Sequence, residues 1–194
     1  MLVAAVILAA GGSSRLGRPK QLLEYHGETL LNRAIRLAHE AGASPVVAVL
    51  GGEYRTIRAS VLGHTSTPVY NDRWRQGIAS SIQEGVRALG VCAPDTAGVL
   101  LMGCDQPRLT AEHLRALIDT FTASEVKAIV ASAYASAHGV PAVFPRATFA
   151  DLRALRGDKG ARSIIEGERC PVVDVEFAGG EVDIDLPEDI AQLG

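Results

Sequence analysis

A glycine-rich segment near the amino end carries the residues best suited to bind phosphate. It reads Leu8-Ala-Ala-Gly-Gly-Ser-Ser-Arg-Leu-Gly-Arg-Pro-Lys20 and directly follows an apolar run. It supplies backbone freedom, hydroxyl donors and positive charge through Gly11, Gly12, Ser13, Ser14, Arg15, Arg18 and Lys20. Adjacent glycines let the backbone approach an anion closely, so that successive N–H groups face its oxygens. The segment therefore predicts a phosphate-binding loop.

Two well-known phosphate-binding loops do not match this segment. The dinucleotide fingerprint G-x-G-x-x-G needs a residue between its first two glycines, but Gly11 and Gly12 are adjacent. The Walker loop needs Lys and then Ser or Thr after its last glycine, whereas Arg18 and Pro19 follow Gly17. A solvated glycine turn is the structural alternative. The serines and the three cations favour the phosphate site.

Acidic residues suited to a hard metal ion occur in two distant segments. Asp105 is the first charge after the apolar run Val99–Met102, where a buried strand would end. Asp183 and Asp185 alternate within Val182–Asp189, so in an extended chain they share one face. Mg²⁺ favours one or two carboxylates together with phosphate oxygens. We therefore expect Asp105 to bind Mg²⁺, with Asp183 as the favoured second ligand and Asp185 as the next candidate.

Apolar periodicity predicts the elements that hold these residues. Continuous β-branched runs indicate buried parallel strands, and apolar residues at helical spacing indicate helices between them. The predicted strands are Val3–Ala9, Pro45–Leu50, Pro68–Tyr70, Ala97–Gly103 and Val126–Ser132, and the predicted helices are Glu28–Ala41, Glu53–Leu62, Ile78–Leu89 and Thr110–Thr122. The alternation predicts an α/β fold: a Rossmann-like, open, mostly parallel sheet with helices on both faces. Such sheets bind ligands at the carboxyl ends of their strands.

Residues 1–194 are predicted to form a single domain, because the sequence contains no linker, repeat or low-complexity tract. The regular alternation covers about residues 1–132, which we assign to nucleotide binding. From about residue 133 to 194 the pattern changes to shorter pieces punctuated by glycine and proline. We expect this part to be an acceptor-binding elaboration on the same sheet.

Composition excludes several classes of function. Formal net charge is −3, whereas a general nucleic-acid binder needs a basic surface, so no nucleic-acid partner is expected. Three cysteines without a C-x-x-C pair indicate free thiols. No apolar stretch reaches the roughly 18 residues of a membrane span, and the first apolar run has no preceding Lys or Arg. We expect a cytoplasmic protein without a membrane partner.

The phosphate-binding loop resembles the L-A-A-G-x-S-x-R-x-G-x-x-K signature of the MobA-like NTP transferases, and particularly of the molybdenum cofactor cytidylyltransferases. Asp105-Gln-Pro107 and Val182–Asp189 also resemble this family, and the blocks that resemble the cytidylyltransferase branch are Asn71–Ser81, Ala137–Pro141 and Leu155–Arg162. The resemblance implies the fold of the nucleotide-diphospho-sugar transferases. It also implies an Mg²⁺-dependent transfer of CMP from CTP to the phosphate of a molybdopterin-type cofactor, with release of pyrophosphate.

The resemblance also implies roles for individual residues. Arg15, Lys20 and Asp105 would be catalytic, with Arg15 on the β,γ-phosphates and Lys20 on the α-phosphate. The nucleotide-binding set would be Leu8, Ala9, Ala10, Gly11, Gly12, Ser13, Ser14, Arg15, Lys20 and Ser80. The acceptor-binding set would be Gly139, Asp158, Lys159 and Arg162, and the metal set Asp105, Asp183 and Asp185.

The resemblance also bears on the nucleotide, the acceptor and the protein partner. The methyl group of Ala10 replaces a glycine of the guanylyltransferases, which favours CTP by about 1–3 kcal/mol of discrimination. One alternative is a nucleotidyltransferase whose acceptor is a sugar phosphate or another phosphorylated metabolite. A second alternative is a non-catalytic protein that binds the nucleotide or delivers the cofactor. An NAD-dependent oxidoreductase lacks its glycine fingerprint here. A molybdoenzyme or its chaperone is the protein partner that the leading interpretation implies.

Overall fold

The computed structural model describes residues 1–61, 66–134, 137–167 and 169–193. Within these ranges the strands are β1 (Val3–Ala9), β2 (Glu24–Tyr25), β3 (Glu28–Thr29), β4 (Val46–Leu50), β5 (Thr67–Tyr70), β6 (Gly98–Gly103), β7 (Ile129–Tyr134), β8 (Ala137–Pro145) and β9 (Val172–Glu176). The α-helices are α1 (Leu30–Glu40), α2 (Tyr54–Ser60), α3 (Ile78–Cys92), α4 (Ala111–Ala123), α5 (Phe149–Ala154) and α6 (Arg162–Ile165). The 3₁₀ helices are Lys20–Leu22, Trp74–Gln76, Arg146–Thr148 and Pro187–Leu193.

Seven strands form one sheet in the order β5-β4-β1-β6-β8-β7-β9. β1 lies between β4 and β6 and is parallel to both, whereas β8 is antiparallel to its neighbours β6 and β7. This is the predicted α/β, Rossmann-like, mostly parallel sheet in a single domain. The chain passes from β1 to β4 and β5 on one side and returns to β6 on the other. The carboxyl end of β1 is therefore at the reversal point where open sheets bind ligands.

Both faces of β1 are buried, as its uninterrupted apolar sequence predicts. Ile7 points into a core shared with α1 and α4, and Val6 points into a second core on the other face, shared with α3 and α5. Helix α4 begins where the sequence predicts, because the Thr110 side chain accepts a hydrogen bond from His113 N. Thr29 caps α1 in the same way, so this helix begins at Leu30 rather than at Glu28.

Some boundaries differ from the prediction. Helix α3 extends to Cys92, and strand β7 begins at Ile129 because Glu125 and Val126 have positive φ angles in the preceding turn. Helix α2 ends at Ser60, whereas Leu62, where we predicted its end, lies outside the described residues. Among the helices that the structure describes, none has the length and apolarity to cross a lipid bilayer.

Strand β8 is the main element that the sequence pattern does not predict. It has nine residues and pairs with β6 through Val99 and Phe144. Glycine and proline make it look irregular, but the β7–β8 register shifts between Ala131 and Ser132, and Pro141 lies opposite this irregularity. A bulge tolerates proline because no ladder hydrogen bond is required there. Residues after 133 therefore contribute β8 to the interior of the sheet and β9 to its edge.

We predict opposite effects for two glycine substitutions in α3. A Cβ on Gly85 would lie 2.4 Å from Val6 Cγ1, so Gly85→Ala is expected to lower the free energy of unfolding by about 1–3 kcal/mol through overpacking. A Cβ on Gly90 would meet no described atom within 4 Å, so Gly90→Ala is expected to raise it by about 0.5 kcal/mol through helix propensity. Urea unfolding of both variants tests this, and equal effects would contradict the packing of α3 on β1.

Candidate active site

The loop after β1 has its carbonyl groups turned into the protein. The buried Gln21 amide donates to Ala9 O at 2.8 Å and to Gly11 O at 2.9 Å, and Gly52 N donates to Ala10 O at 3.1 Å. Among the described residues, no protein acceptor is found for the N–H groups of Gly11 and Gly12. The loop thus satisfies its acceptors internally and keeps N–H donors available, as an anion cradle requires.

Gln21 is a structural residue that the sequence pattern does not reveal. It lies in the short 3₁₀ helix after Pro19, has 0% exposure, and no motif or periodicity marks it as polar and buried. Lys20 N donates to Ser13 Oγ at 3.0 Å and closes the same loop from its other end. The predicted residues Ser13 and Lys20 are therefore brought together by the folding of the loop itself.

The Trp74 side chain packs on Gly12 of this loop and on Gly51, which follows β4. A Cβ on Gly12 would lie 2.7 Å from Trp74 Cη2, and a Cβ on Gly51 would lie 2.7 Å from Trp74 Cβ. Gly12 is therefore needed for close packing as well as for backbone freedom. The Arg75 guanidinium lies 4.3 Å from the centre of the indole.

Four charged residues from three distant segments meet at this loop. Lys20 Nζ lies 2.5 Å from Asp105 Oδ2 and 2.9 Å from Asp185 Oδ1, and Arg15 Nη2 lies 2.8 Å from Asp185 Oδ2. Burial lowers the pKa of Lys20, but the charge of Asp105 and the hydrogen bonds to both carboxylates outweigh it, so the pKa is raised and Nζ remains charged. The hydrogen bond from Lys20 lowers the pKa of Asp185.

Ile184 brings the two carboxyl-terminal acids to this cluster. Its side chain has 0% exposure and packs in a small core with Leu16, Leu23 and Leu30, and Ile184 N donates to Asp105 O at 3.0 Å. Burying such a side chain stabilises the fold by about 1.5–3 kcal/mol. Asp183 and Asp185 flank Ile184 in sequence, so this anchor holds the segment that carries them beside Asp105 and Lys20.

Asp183 has an unfavourable electrostatic environment for its charge. The residue as a whole is exposed to solvent. Partial desolvation of its carboxyl group is the larger cause, and the negative charge of Asp105 the next, that raise the pKa of Asp183 to about 7. Asp189 has a structural role, since its Oδ2 accepts from Asp185 N at 2.9 Å and from Leu186 N at 2.7 Å. These bonds fix the backbone at the start of the 3₁₀ helix Pro187–Leu193.

The donor set fits a hard divalent cation. Asp105, Asp183 and Asp185 supply carboxylate oxygens, and the ammonium group of Lys20 already bridges two of them. In the part of the chain that the structure describes, no group of three or more His, Cys, Asp or Glu side chains is arranged to hold a metal by itself. Mg²⁺ normally takes only one or two carboxylates beside phosphate oxygens and water. The assignment of Asp105, Asp183 and Asp185 as metal ligands stays a prediction.

Ser80 lies in a buried network at the start of α3. Its Oγ accepts from the buried Asn71 amide at 2.8 Å and lies 2.9 Å from Gly77 O, to which it donates. The same amide bonds to Ser81 Oγ at 3.0 Å. The Ser80 proton is already engaged, so donation to the nucleotide would require exchange of an internal hydrogen bond, and the predicted contact stays a prediction.

The predicted acceptor residues Asp158 and Lys159 lie in a loop that packs on the same part of α3, and Arg162 is the first residue of α6. Gly157 O accepts from Ala79 N at 3.1 Å, and a Cβ on Gly77 would lie 2.5 Å from Asp158 Oδ1. Lys159 and Arg162 are exposed, and Arg162 pairs with Glu166 at 2.7 Å. The structure thus brings the block Leu155–Arg162 against the block Asn71–Ser81. The acceptor roles stay predictions.

Gly139, the fourth predicted acceptor residue, makes room for a tyrosine. A Cβ on Gly139 would lie 2.6 Å from Tyr134 Oη. Tyr134 ends β7 and was not singled out from the sequence, although it stands just before the block that carries Gly139. Its hydroxyl donates to Val140 O at 3.2 Å.

Comparison with known proteins decides the family. The model of the MobA-like NTP transferase domain matches residues 5–173. The chain belongs to the MobA-like NTP transferase family. This member shares the nucleotide-diphospho-sugar transferase fold with its structural neighbours. Rv0371c from Mycobacterium tuberculosis H37Rv is 33% identical, with a TM-score of 0.85, over 100% of this chain and 97% of that one. A manganese complex of Rv0371c has a TM-score of 0.81 at 31% identity, over 100% of this chain and 98% of that one.

The curated relatives of this family member have diverse names. Purine catabolism protein PucB of Bacillus subtilis (strain 168) is 27% identical over 95% of this chain and 92% of PucB. Nicotine blue oxidoreductase of Paenarthrobacter nicotinovorans is 29% identical over 98% of this chain and 96% of that protein. A probable molybdenum cofactor guanylyltransferase of Opitutus terrae (strain DSM 11246 / JCM 15787 / PB90-1) is 48% identical, but over only 29% of each chain. The family is therefore established, whereas these names do not agree on one substrate.

We predict that Asp183→Asn stabilises the protein at pH 8 and leaves it nearly unchanged at pH 4. The pKa of about 7 in the folded protein lies above the ordinary 3.8, so the wild type loses stability as pH rises from about 4 to about 7. The gain at pH 8 should be roughly 1 kcal/mol or less, because water screens an exposed group. Urea unfolding at both pH values measures it. Asp119→Asn on the exposed face of α4 is the control, and equal gains at both pH values would contradict the explanation.

We also predict that Gly139→Ala and Tyr134→Phe are coupled. In the wild type, Gly139→Ala forces its Cβ against Tyr134 Oη and should lower the free energy of unfolding by about 1–3 kcal/mol. In the Tyr134→Phe background the oxygen is absent, so the same substitution should cost less. A double-mutant cycle in urea measures the coupling. Additive effects would show that Gly139 is needed for another reason.

Proposed function

We propose that this chain transfers CMP from CTP to the phosphate of a molybdopterin-type acceptor and releases pyrophosphate. The observation that carries the proposal is the meeting of Lys20 with Asp105 and Asp185 beside the loop after β1. Fixed cations and carboxylates at one point are what is needed to bring two anionic reactants together on a divalent ion. Family membership and the manganese complex of Rv0371c support a metal-dependent transferase, with Mg²⁺ as the proposed ion.

In the proposed reaction, an oxygen of the acceptor phosphate attacks the α-phosphorus of the nucleotide. The bond from that phosphorus to the oxygen bridging the α- and β-phosphates breaks, and pyrophosphate leaves with the electron pair. Magnesium, when bound by Asp105 with Asp183 or Asp185, would neutralise charge on the phosphate oxygens. Lys20 would neutralise the α-phosphate, and Arg15 would hold the departing pyrophosphate.

A general base is not required by this chemistry. A phosphate monoester is already ionised at neutral pH, so orientation and neutralisation of charge can carry the reaction. The N–H groups of Gly11 and Gly12 would hold the triphosphate in place, because the loop carbonyls are engaged with Gln21 and Gly52.

Ala10 supports CTP as the nucleotide. It is buried, and its carbonyl is fixed by Gly52 N at 3.1 Å, so its methyl group cannot move aside easily. The probable guanylyltransferase of Opitutus terrae matches only a short segment and does not decide between pyrimidine and purine. We propose the cytoplasm as the location, because three free thiols suit a reducing compartment.

The name of one relative raises an oxidoreductase as the second candidate. Nicotine blue oxidoreductase is similar to this chain over nearly its whole length. The cluster of Lys20, Asp105, Asp185 and Arg15 favours the transferase, because hydride transfer has no need for two cations on paired carboxylates. The loop also lacks the dinucleotide fingerprint.

The function is tested by a substrate matrix. CTP, GTP, ATP and UTP are each combined with molybdopterin and with sugar phosphates in the presence of Mg²⁺, and pyrophosphate release is followed. The proposal expects the highest turnover for CTP with molybdopterin. A sugar phosphate as the preferred acceptor would keep the chemistry and change the substrate. Binding of NADH or NADPH without any pyrophosphate release would overturn the transferase.

We predict that Asp105→Asn reduces pyrophosphate release at least about 100-fold, because one charge that binds the metal and orients Lys20 is lost. Circular dichroism and urea unfolding should show a folded protein. Asp119→Asn, on the exposed face of α4, is the matched control and should turn over like the wild type. Near-wild-type turnover of Asp105→Asn would remove this residue from the mechanism.

A further inference from the structure

Tyr134 lies at the same edge of the sheet as the charged cluster. It is the last residue of β7. Because β8 is antiparallel to both β6 and β7, strand β7 runs in the same direction as β6. The carboxyl end of β7 therefore lies at the edge where Asp105 follows β6. In strand order, Tyr134 stands beyond Asp105, on the side away from β4 and its Gly51–Trp74 contact.

The ring of Tyr134 is fixed by the turn that leads to the carboxyl-terminal acids. A Cβ on Gly180 would lie 2.7 Å from Tyr134 Cδ1, so Gly180 passes directly against the ring. Phe177 makes an edge contact with the same ring at 6.1 Å between centroids, and Phe177 in turn stacks on His113 at 4.4 Å. Gly180 and Phe177 thus hold the Tyr134 ring in place. Asp183 follows Gly180 three residues later in the chain.

The hydroxyl of Tyr134 is loosely engaged. Its 3.2 Å bond to Val140 O is long for an O–H donor, which normally lies 2.7–2.8 Å from its acceptor. Rotation about the bond between the ring and the oxygen can therefore turn the proton to a better acceptor at small cost. Gly139 leaves open the space beside this oxygen that any side chain would fill.

The charges of predicted site residues act on the hydroxyl group of Tyr134. Burial raises its pKa, the charge of Asp183 raises it further, and the nearby charge of Arg162 opposes this. The tyrosine is thus a neutral O–H donor that lies within the electrostatic influence of Asp183 and Arg162. The oxygens of a phosphate monoester can accept hydrogen bonds from both a neutral O–H donor and a guanidinium.

We infer that Tyr134 is a specificity-determining residue, whose hydroxyl donates a hydrogen bond to the phosphate of the acceptor, with Arg162 as the accompanying charge. The inference rests on the proposed function for the identity of the ligand. It assigns the phosphate of the acceptor to the β7–β8 side of Asp105. Gly139 then serves the acceptor indirectly, by leaving room for the hydroxyl.

The inference is tested first without the reaction. Inorganic phosphate is titrated into ¹⁵N-labelled protein, and the amide resonances of Gly139 and Gly180 report on the Tyr134 side, whereas those of Gly11 and Gly12 report on the loop after β1. In Tyr134→Phe, the dissociation constant seen at Gly139 and Gly180 should rise about tenfold, since one hydrogen bond to a charged group is lost. The constant seen at Gly11 and Gly12 should not change.

A second variant and a control complete this titration. Arg162→Gln should weaken the same response at Gly139 and Gly180. Tyr25→Phe, in the separate β2–β3 hairpin, should leave both responses unchanged. An unaltered constant at Gly139 and Gly180 in Tyr134→Phe overturns the inference, as does the absence of any phosphate response there in the wild type.

Kinetics with the best nucleotide and acceptor of the substrate matrix then separate this inference from the proposed function. Tyr134→Phe should raise KM for the acceptor about tenfold and leave KM for the nucleotide unchanged. If the wild type turns over normally and both constants are unchanged, the role of Tyr134 is wrong and the transferase stands. If the wild type shows no transfer, the proposed function is wrong, and the phosphate titration alone decides the role of Tyr134.

Discussion

The contact of one lysine with two acids from different parts of the chain determines the arrangement of this site. Lys20 reaches Asp105 after β6 and Asp185 near the carboxyl end, so three segments far apart in sequence share one charge cluster. Such a cluster is favourable only while the charges stay paired, because an unpaired charge that is partly removed from water is destabilising. The loop after β1, the end of β6 and the carboxyl-terminal segment are therefore held in one relative position.

Apolar packing and backbone hydrogen bonds supply the precision that charge alone cannot. Ile184 is buried between Leu16 of the loop and Leu30 of α1, and this burial places the acids on either side of it. Gln21 turns two carbonyl groups of the loop away from the site, which leaves N–H donors for an anion. The ion pairs of Lys20 draw the three segments together, while buried Ile184 and the side-chain amide of Gln21 fix their orientation.

The sheet separates two sides of the site. Strand β4 brings Gly51 and Trp74 against the loop on one side, and β8 and β7 bring Gly139 and Tyr134 to the other. Neighbouring strands are about 4.8 Å apart, so these two sides are several strand widths from each other. This separation leaves room for the two phosphate-containing molecules of the proposed transfer.

The sequence by itself determined the alternating strands and helices, the loop after β1 and Asp105 at the end of β6, because these are local: apolar period, glycine pairs and the first charge after a buried run. It did not determine β8, whose proline is accommodated by a bulge against β7, nor the roles of Gln21 and Tyr134. Those depend on neighbours that are distant along the chain. Only the tertiary structure brings such groups together, since side-chain pairing across strands and loops leaves no periodic signal in the sequence.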